Sequence, residues 1–444
     1  MRDRRVRVAM ISEHASPMAL LGGEDAGGQN VYVDELSRHL VPLGFQVDVF
    51  TRLDSKQAKK VNEWADGVRV INISAGPATY LKKDLLLQYM PEFRDNMVRF
   101  ARDNRIRYDV IHAHFWMSGW VACELKRWWN VPLVQTFHAL GVIKRIHQGK
   151  ADTSPRERLP VERRIVREVD RIVATCPAEK DDLQRYYGCD PNKIVIIPCG
   201  VNTGVFEPVQ RERARRELQL SEDDRVIVYV GRILPRKGID NVIEGVANLC
   251  QTTQHRVTLI IVGGETDQAM PDNDEEMGRL AGVARSLGIA DKVCFTGRRP
   301  QSALKLYYSA ADVCVTTPWY EPFGMVPLES MACGTPVVAA AVGGLKFSVV
   351  DSVTGFLVPP KDPAVLAEKL DLILSNDELR QEQSSMARRR VEEWFAWPRI
   401  AARIANLYEE LIATQTAAPE QPPSALETML GESGEENAVP ATEG

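Results

Sequence analysis

One rhythm recurs along most of this chain: a short β-branched run, then a longer amphipathic stretch. Before about residue 200 the runs Val6–Ser12, Gln46–Thr51, Val68–Ile73, Val110–His114, Leu133–Thr136, Ile172–Ala174 and Ile194–Pro198 predict strands. Helical patterns, among them Val31–Leu43, Pro91–Asn104 and Pro160–Asp170, lie between several of them. Alternation of this kind predicts a mostly parallel sheet with helices on both faces. The segment Asn202–Leu220 interrupts it with Gly, Pro and an Arg/Glu helical pattern but no strand. The rhythm then restarts, with strands expected at Val226–Val230, Val257–Val262, Val293–Thr296, Asp312–Thr316, Pro336–Ala340 and Phe356–Val358. The expectation is an α/β chain of two doubly wound, Rossmann-like domains in tandem, 1–205 and 206–390. A helix over 391–415, carrying Trp394, Phe395, Trp397, Leu407 and Tyr408, is expected to cross back to the first domain.

Ligands in open α/β sheets collect outside the carboxyl ends of the strands, and pockets favour domain interfaces. A cleft between the two halves is thus the expected site. Composition narrows what it can hold. The net charge is −5, but the stretch from Thr416 onward has six acids and no base, so the remaining body stands at +1. That tail, 416–444, is rich in Pro, Ala, Glu and Gly and is expected to be disordered. A near-neutral body gives no footprint for nucleic acid. No apolar run approaches the 18 or so residues of a membrane span. The basic N-terminus passes straight into strand-like alternation without a signal-peptide core, and a cytoplasmic location is expected. The eight cysteines are scattered, with no C-x-x-C, and are expected to be small buried hydrophobes, Cys294 and Cys314 among them.

Four stretches can carry chemistry. Gly22-Gly23-Glu24-Asp25-Ala26-Gly27-Gly28-Gln29-Asn30 precedes the first long helix, where glycines let backbone N–H groups approach an anion. Its spacing is neither G-x-G-x-x-G nor a P-loop. Gly231-Arg232-Ile233-Leu234-Pro235-Arg236-Lys237-Gly238 places fixed positive charge at a second strand-to-helix junction, a setting suited to a diphosphate. His138 lies just past the strand Leu133–Thr136 and is expected to face the cleft, with His112 and His114 sharing a face of the neighbouring strand. In Pro318–Pro336, Glu321 and Glu329 bracket a Pro/Gly turn and a helix expected to begin near Pro327. That spacing is too wide for an acid–base pair at one bond, and suits two carboxylates gripping hydroxyls at opposite ends of a long ligand. Asp272-Asn273-Asp274 has a metal-binding form but sits in an acidic loop and is taken as solvated, so no metal site is expected. The segment Lys144–Arg171 has nine Lys/Arg against five Asp/Glu; most of Pro160–Asp170 is read as an exposed helix face, and Arg158 in particular as a candidate to meet an anionic substrate or a membrane surface.

Together, E-P-F-G-x-x-x-x-E at Glu321–Glu329, G-R-x-x-x-x-K-G at Gly231–Gly238 and the double-glycine loop resemble the retaining GT-B glycosyltransferases of glycosyltransferase family 4. The resemblance runs from about Val6 to Leu411. D-A-G-G-x-N-V-Y-V at Asp25–Val33 is similar to the mycothiol inositol-phosphate glycosyltransferases, and F-H-A-L-G at Phe137–Gly141 to the sucrose-phosphate synthases. It implies two domains facing across a cleft, the nucleotide sugar on the second and the acceptor on the first. By resemblance, Glu329 binds the nucleotide ribose, Glu321 a donor-sugar hydroxyl, and Arg232 and Lys237 the diphosphate. Gly28, Phe323, Gly324, Met325 and Val326 would offer backbone donors, and His138 would meet the sugar near the reacting centre. Asn30, Lys82 and Arg158 match residues that hold an acceptor phosphate. Phe115 and Ala139 stand where a tyrosine and a threonine are expected, so two phosphate-facing hydroxyls of the inositol-phosphate branch are missing. The implied activity is transfer of a hexosyl group with retention, without a metal or other cofactor. The donor would be a nucleotide sugar, UDP being the usual nucleotide, and the acceptor a small sugar or cyclitol, phosphorylated or not. A homodimer stays open as a partner state. A nucleotide-sugar epimerase of the same fold, or a non-catalytic nucleotide-sugar sensor, are the alternatives.

Overall fold

The computed structural model describes residues 5–19, 27–272 and 274–417. Residues 22–26 of the glycine loop, Asn273 and the tail from 418 lie outside the described residues. The first sheet contains β1 (Val6–Ile11), β2 (Phe45–Arg52), β3 (Val61–Ala65), β4 (Val68–Ile73), β5 (Val110–His114), β6 (Leu133–Thr136), β7 (Arg171–Ala174) and β8 (Ile194–Ile196). Their spatial order is β3-β4-β2-β1-β5-β6-β7-β8. The second contains β9 (Arg225–Val230), β10 (Val257–Val262), β11 (Val293–Gly297), β12 (Val313–Thr316), β13 (Val337–Ala340) and β14 (Gly355–Val358), in the order β11-β10-β9-β12-β13-β14. Every pairing is parallel except β3 with β4. The inner strands are buried on both faces, which is why they read as continuous apolar runs.

Three corrections come from edges and ends. β3 was not expected: Val-Asn-Glu-Trp-Ala is a mixed, part-exposed edge strand turned back through Asp66-Gly67. Cys294 is exposed rather than buried, because β11 is also an edge strand; six of the other cysteines are buried and Cys250 is intermediate. The single helix expected over 391–415 is two helices, Asp377–Trp394 and Trp397–Ala417. Pro398 has no N–H to give a continuing helix and suits a first turn, so the chain breaks at Phe395-Ala396. The freed Phe395 carbonyl accepts from Val201 N at 2.8 Å. Trp394 is exposed, while Trp397 is buried.

The helix Trp397–Ala417 packs on the first domain. Trp397 meets Tyr32 edge-on at 5.3 Å between ring centroids, and the Tyr408 hydroxyl lies 2.6 Å from His112 Nδ1. One apolar cluster runs from Tyr32, Leu36 and Leu40 through Trp397, Ile404 and Leu411 to Val228, Leu328 and Val337 of the second sheet. The two sheets thereby share a core on one side while each keeps its own on the other. Among the described residues no helix is long and apolar enough to cross a membrane.

Candidate active site

Strand order reverses between β1 and β5 in the first sheet and between β9 and β12 in the second. Those are the points where neighbouring connections depart to opposite faces and leave a crevice. Both crevices open onto one cleft of about 480 Å³. After β1 the helix Gly28–Leu40 begins at this space: Gly27, Gly28 and Gln29 line it, and Asn30 N donates back to Gly27 O at 3.1 Å. Gly28 is so close to the second domain that a Cβ there would stand 3.3 Å from Met325 Sδ.

On the second domain, Arg232 and Lys237 line the cleft from the loop after β9, just ahead of the helix Ile239–Thr252. Trp319 N donates to Arg236 O at 2.9 Å and Thr317 Oγ1 to Gly238 O at 2.9 Å, stitching this loop to the one after β12. Gly238 has φ +66°, and a Cβ there would fall 2.1 Å from the Thr317 carbonyl oxygen, so only glycine lets the loops approach. The result is a 2.5 Å ion pair from Lys237 Nζ to Glu321 Oε2. Glu321 is also seated from behind, where Gly344 N donates to its carbonyl at 3.1 Å. Gly343, at φ +45°, leaves no room for a side chain there, since a Cβ would lie 2.0 Å from the same oxygen.

The helix Val326–Ala332 begins where expected, and Glu329 in its first turn is nine-tenths buried. Burial raises its carboxyl from the ordinary range to about 7, while the Tyr308 hydroxyl, donating at 2.8 Å, pulls the other way. Phe323, Gly324, Met325 and Val326 complete this wall, and Arg298 and Arg299 add charge from the end of β11. A cleft with five cationic side chains and two carboxylates is built for an elongated anion that also carries hydroxyls.

On the first domain His138, at φ +59°, reaches the cleft from the end of β6. Its Nε2 lies 3.0 Å from His114 Nδ1. Burial holds both rings neutral, pushing His138 down to about 3 and His114 well below its ordinary value. The acceptor candidates behave differently. Asn30 is buried and closes the helix start, accepting from Gly27 N at 2.9 Å and donating to Ser16 O at 2.8 Å. Lys82 is exposed beside the turn Lys83–Leu85. Arg158 is buried, paired with Glu162 at 2.8 Å, and donates to Ala139 O at 2.6 Å and Ser154 Oγ at 3.2 Å. Its guanidinium lies 5.0 Å over the Phe115 ring, so Phe115, Ala139 and Arg158 form one cluster. None of Asn30, Lys82 and Arg158 is among the residues lining the cleft.

The same two-part organisation is found in known proteins. Residues 26–205 match the model described as Glycosyltransferase Family 4, and residues 210–390 that described as Glycosyl transferases group 1. The chain belongs to glycosyltransferase family 4. Among its relatives, a D-inositol 3-phosphate glycosyltransferase of Corynebacterium diphtheriae is 38% identical over 91% of this chain and 94% of that one. One of Actinosynnema mirum is 40% identical over 84% and 90%. The solved sucrose-phosphate synthase of Thermosynechococcus elongatus is 37% identical, with a TM-score of 0.83 over 92% of this chain and 100% of that one. An Anabaena protein solved with UDP and glucose, 22% identical with a TM-score of 0.70, shares the fold. The architecture of this family 4 glycosyltransferase is thus GT-B.

Several residues of the site escaped the sequence motifs. Tyr308 lies within a helix, Gln301–Ala310, whose pattern is only amphipathic. Gly343-Gly344 carries a signal, a glycine pair three residues past the end of β13, like the double glycines of the loop after β1. Glu13 and His14 follow β1 and face each other at 2.7 Å, with the His14 ring edge-on to Phe115 at 4.8 Å. Asp274, from the acidic loop, caps the helix Glu275–Ser286 by accepting from Met277 N at 2.9 Å.

Proposed function

We propose that this glycosyltransferase moves a hexosyl group with retention from a nucleotide sugar, with UDP as the nucleotide, to a small sugar or cyclitol phosphate. The observation that carries the reading is the Lys237–Glu321 pair beside Arg232, opposite Gly28 across the cleft. A diphosphate arriving there takes over Lys237 as counter-ion, and Glu321 is released to a sugar hydroxyl. Glu329 receives the ribose hydroxyls at the far end. As the glycosidic bond breaks, negative charge grows on the diphosphate. Arg232, Lys237 and the N-terminus of the helix Ile239–Thr252 are already aimed at it, so they stabilise the transition state more than the ground state. That countercharge is what a metal ion would otherwise supply, and the reaction runs without one.

His138 offers a neutral N–H to the sugar beside the reacting carbon. The acceptor enters from the first domain, on the side where Arg158, Phe115 and Ala139 meet. Its names in relatives, an inositol 3-phosphate acceptor and a sucrose phosphate product, support an anionic acceptor. Phe115 and Ala139 lack hydroxyls, which favours a sugar phosphate over inositol phosphate.

The test is incubation with UDP-, ADP- and GDP-glucose against inositol 3-phosphate, hexose and ketose phosphates and their unphosphorylated forms, with and without EDTA. The proposal expects a product of unchanged anomeric configuration by NMR, from UDP-glucose and a sugar phosphate, at an EDTA-insensitive rate. An inverted product, or activity abolished by EDTA and restored by a divalent ion, contradicts it.

A further inference from the structure

His114 does not line the cleft, yet it makes a close polar contact to a residue that does. Its Nδ1 is 3.0 Å from His138 Nε2, with the rings nearly parallel and 5.2 Å apart. Only one proton can sit between two neutral imidazoles, so each ring's tautomer fixes the other's. The other nitrogen of His114, Nε2, is buried and has no hydrogen-bond partner.

Two arrangements are open. If His138 Nε2 held the shared proton, His114 would carry its own on Nε2, leaving an N–H stranded in the interior. If His114 Nδ1 holds it, His114 Nε2 is a bare acceptor. Orphaned buried N–H groups are rarer than under-satisfied acceptors, so the second arrangement is favoured. His138 Nε2 is then occupied as an acceptor, and its proton must be on Nδ1, the nitrogen left for the cleft. The frame around the pair is rigid. Tyr32 packs on both rings at 5.5 and 5.1 Å, and His112 packs on His114 at 4.2 Å. His112 is itself pinned by Tyr408 OH at 2.6 Å and Thr136 Oγ1 at 2.8 Å.

We infer that His114 is a positioning residue that locks His138 as an Nδ1–H donor, so that His138 serves the reaction as a hydrogen-bond donor and not as a base. The inference rests on the proposed placement of His138 at the donor sugar. It also gives the C-terminal helix a stake in the site, because Tyr408 anchors the ring against which His114 packs.

Two measurements test it. In ligand-free protein carrying 15N-histidine, the nitrogen shifts distinguish the two neutral tautomers, with His138→Gln and His114→Asn used for assignment. The Nδ1–H form is expected at both rings, and an Nε2–H form at His138 overturns the inference whatever the activity. In kinetics, Asn carries its amide nitrogen on Cγ, as His carries Nδ1, whereas Gln carries it one bond further out. His114→Asn is therefore expected to retain most of kcat. His114→Gln and His114→Leu should lower kcat between about 10- and 100-fold, the range for losing one buried hydrogen-bonding partner, with donor KM nearly unchanged. Equal loss in all three variants means that the ring only fills space, and rejects the inference. His138→Ala separates the underlying reading: if it leaves kcat intact, His138 is not at the sugar, whereas a loss there with His114→Leu unaffected removes His114 alone.

Discussion

The proposed reaction rests chiefly on Lys237, Glu321 and Glu329, the first two tested by turnover and the third by pH. On the proposed reading, Lys237→Ala removes charge facing the leaving diphosphate, and a loss of about 100- to 1000-fold in kcat is expected. Glu321→Gln should cost turnover comparably. The pair is part-exposed, so its loss should shift stability by no more than about 1 kcal/mol, and unchanged melting separates chemistry from folding. Near-normal rates in both variants would remove them from the site. Glu329, with its carboxyl near 7, gives a pH signature. Ribose hydroxyls donate best to the ionised form, and UDP-glucose itself does not titrate near neutrality. Its affinity, measured by calorimetry, should tighten as pH rises through about 7 and weaken below, and Glu329→Gln should abolish the step. Linkage to folding has the opposite sign. Between the ordinary carboxylate range and about 7 the folded chain keeps a proton that the unfolded chain has lost, so Glu329 costs stability as pH climbs through that window.

At the scale of elements, the loops after β9, β12 and β13 converge by backbone contact. Gly343→Ala would drive a Cβ into the Glu321 carbonyl and force an unfavourable φ, costing more than about 1 kcal/mol. Because the displaced atom belongs to Glu321, donor KM and kcat should both suffer even where the variant melts well above assay temperature. Normal kinetics would show that the loop yields without moving the carboxylate. The helix Trp397–Ala417 offers a separate test. Trp397 is fully buried against Tyr32, and Trp397→Ala should destabilise by about 3–5 kcal/mol, read from denaturant midpoints. These elements differ in how well the sequence foretold them. Inner strands such as β10 and β9 were legible because burial on both faces demands an unbroken apolar run. β3 was not, since an edge strand needs no such run. The break at Phe395-Ala396 was written in Trp397-Pro398, but the apolar periodicity on either side masked it. The second-domain wall of the cleft was legible because Gly, Arg, Lys and Glu stand there at motif spacings, and the fold brings those residues to one cavity. Tyr308 was not, because a tyrosine in an amphipathic helix looks the same whether or not its hydroxyl reaches a carboxylate 21 residues away.

Across the whole molecule, the two domains meet over the cleft at a few defined points. Gly28 stands against Met325, and Cys176 Sγ lies 3.4 Å from Pro322 O. From the helix Gly141–Gln148, Gln148 Nε2 donates to Tyr320 OH at 2.6 Å, and His147 stacks on the same ring at 4.8 Å. Tyr320 directly precedes Glu321, so this first-domain helix touches the second-domain loop beside the carboxylate that pairs with Lys237. Tyr320→Ala should therefore raise acceptor KM more than donor KM, and the reverse pattern would assign the contact to donor closure. Transfer between two bound substrates is the step on which the proposed function depends. The most direct measurement is the rate of free UDP release from UDP-glucose with and without a sugar-phosphate acceptor. Release that depends on acceptor, and that collapses in Lys237→Ala, is what the account predicts. Equal release without any acceptor, or tight binding with no release under either condition, would contradict it.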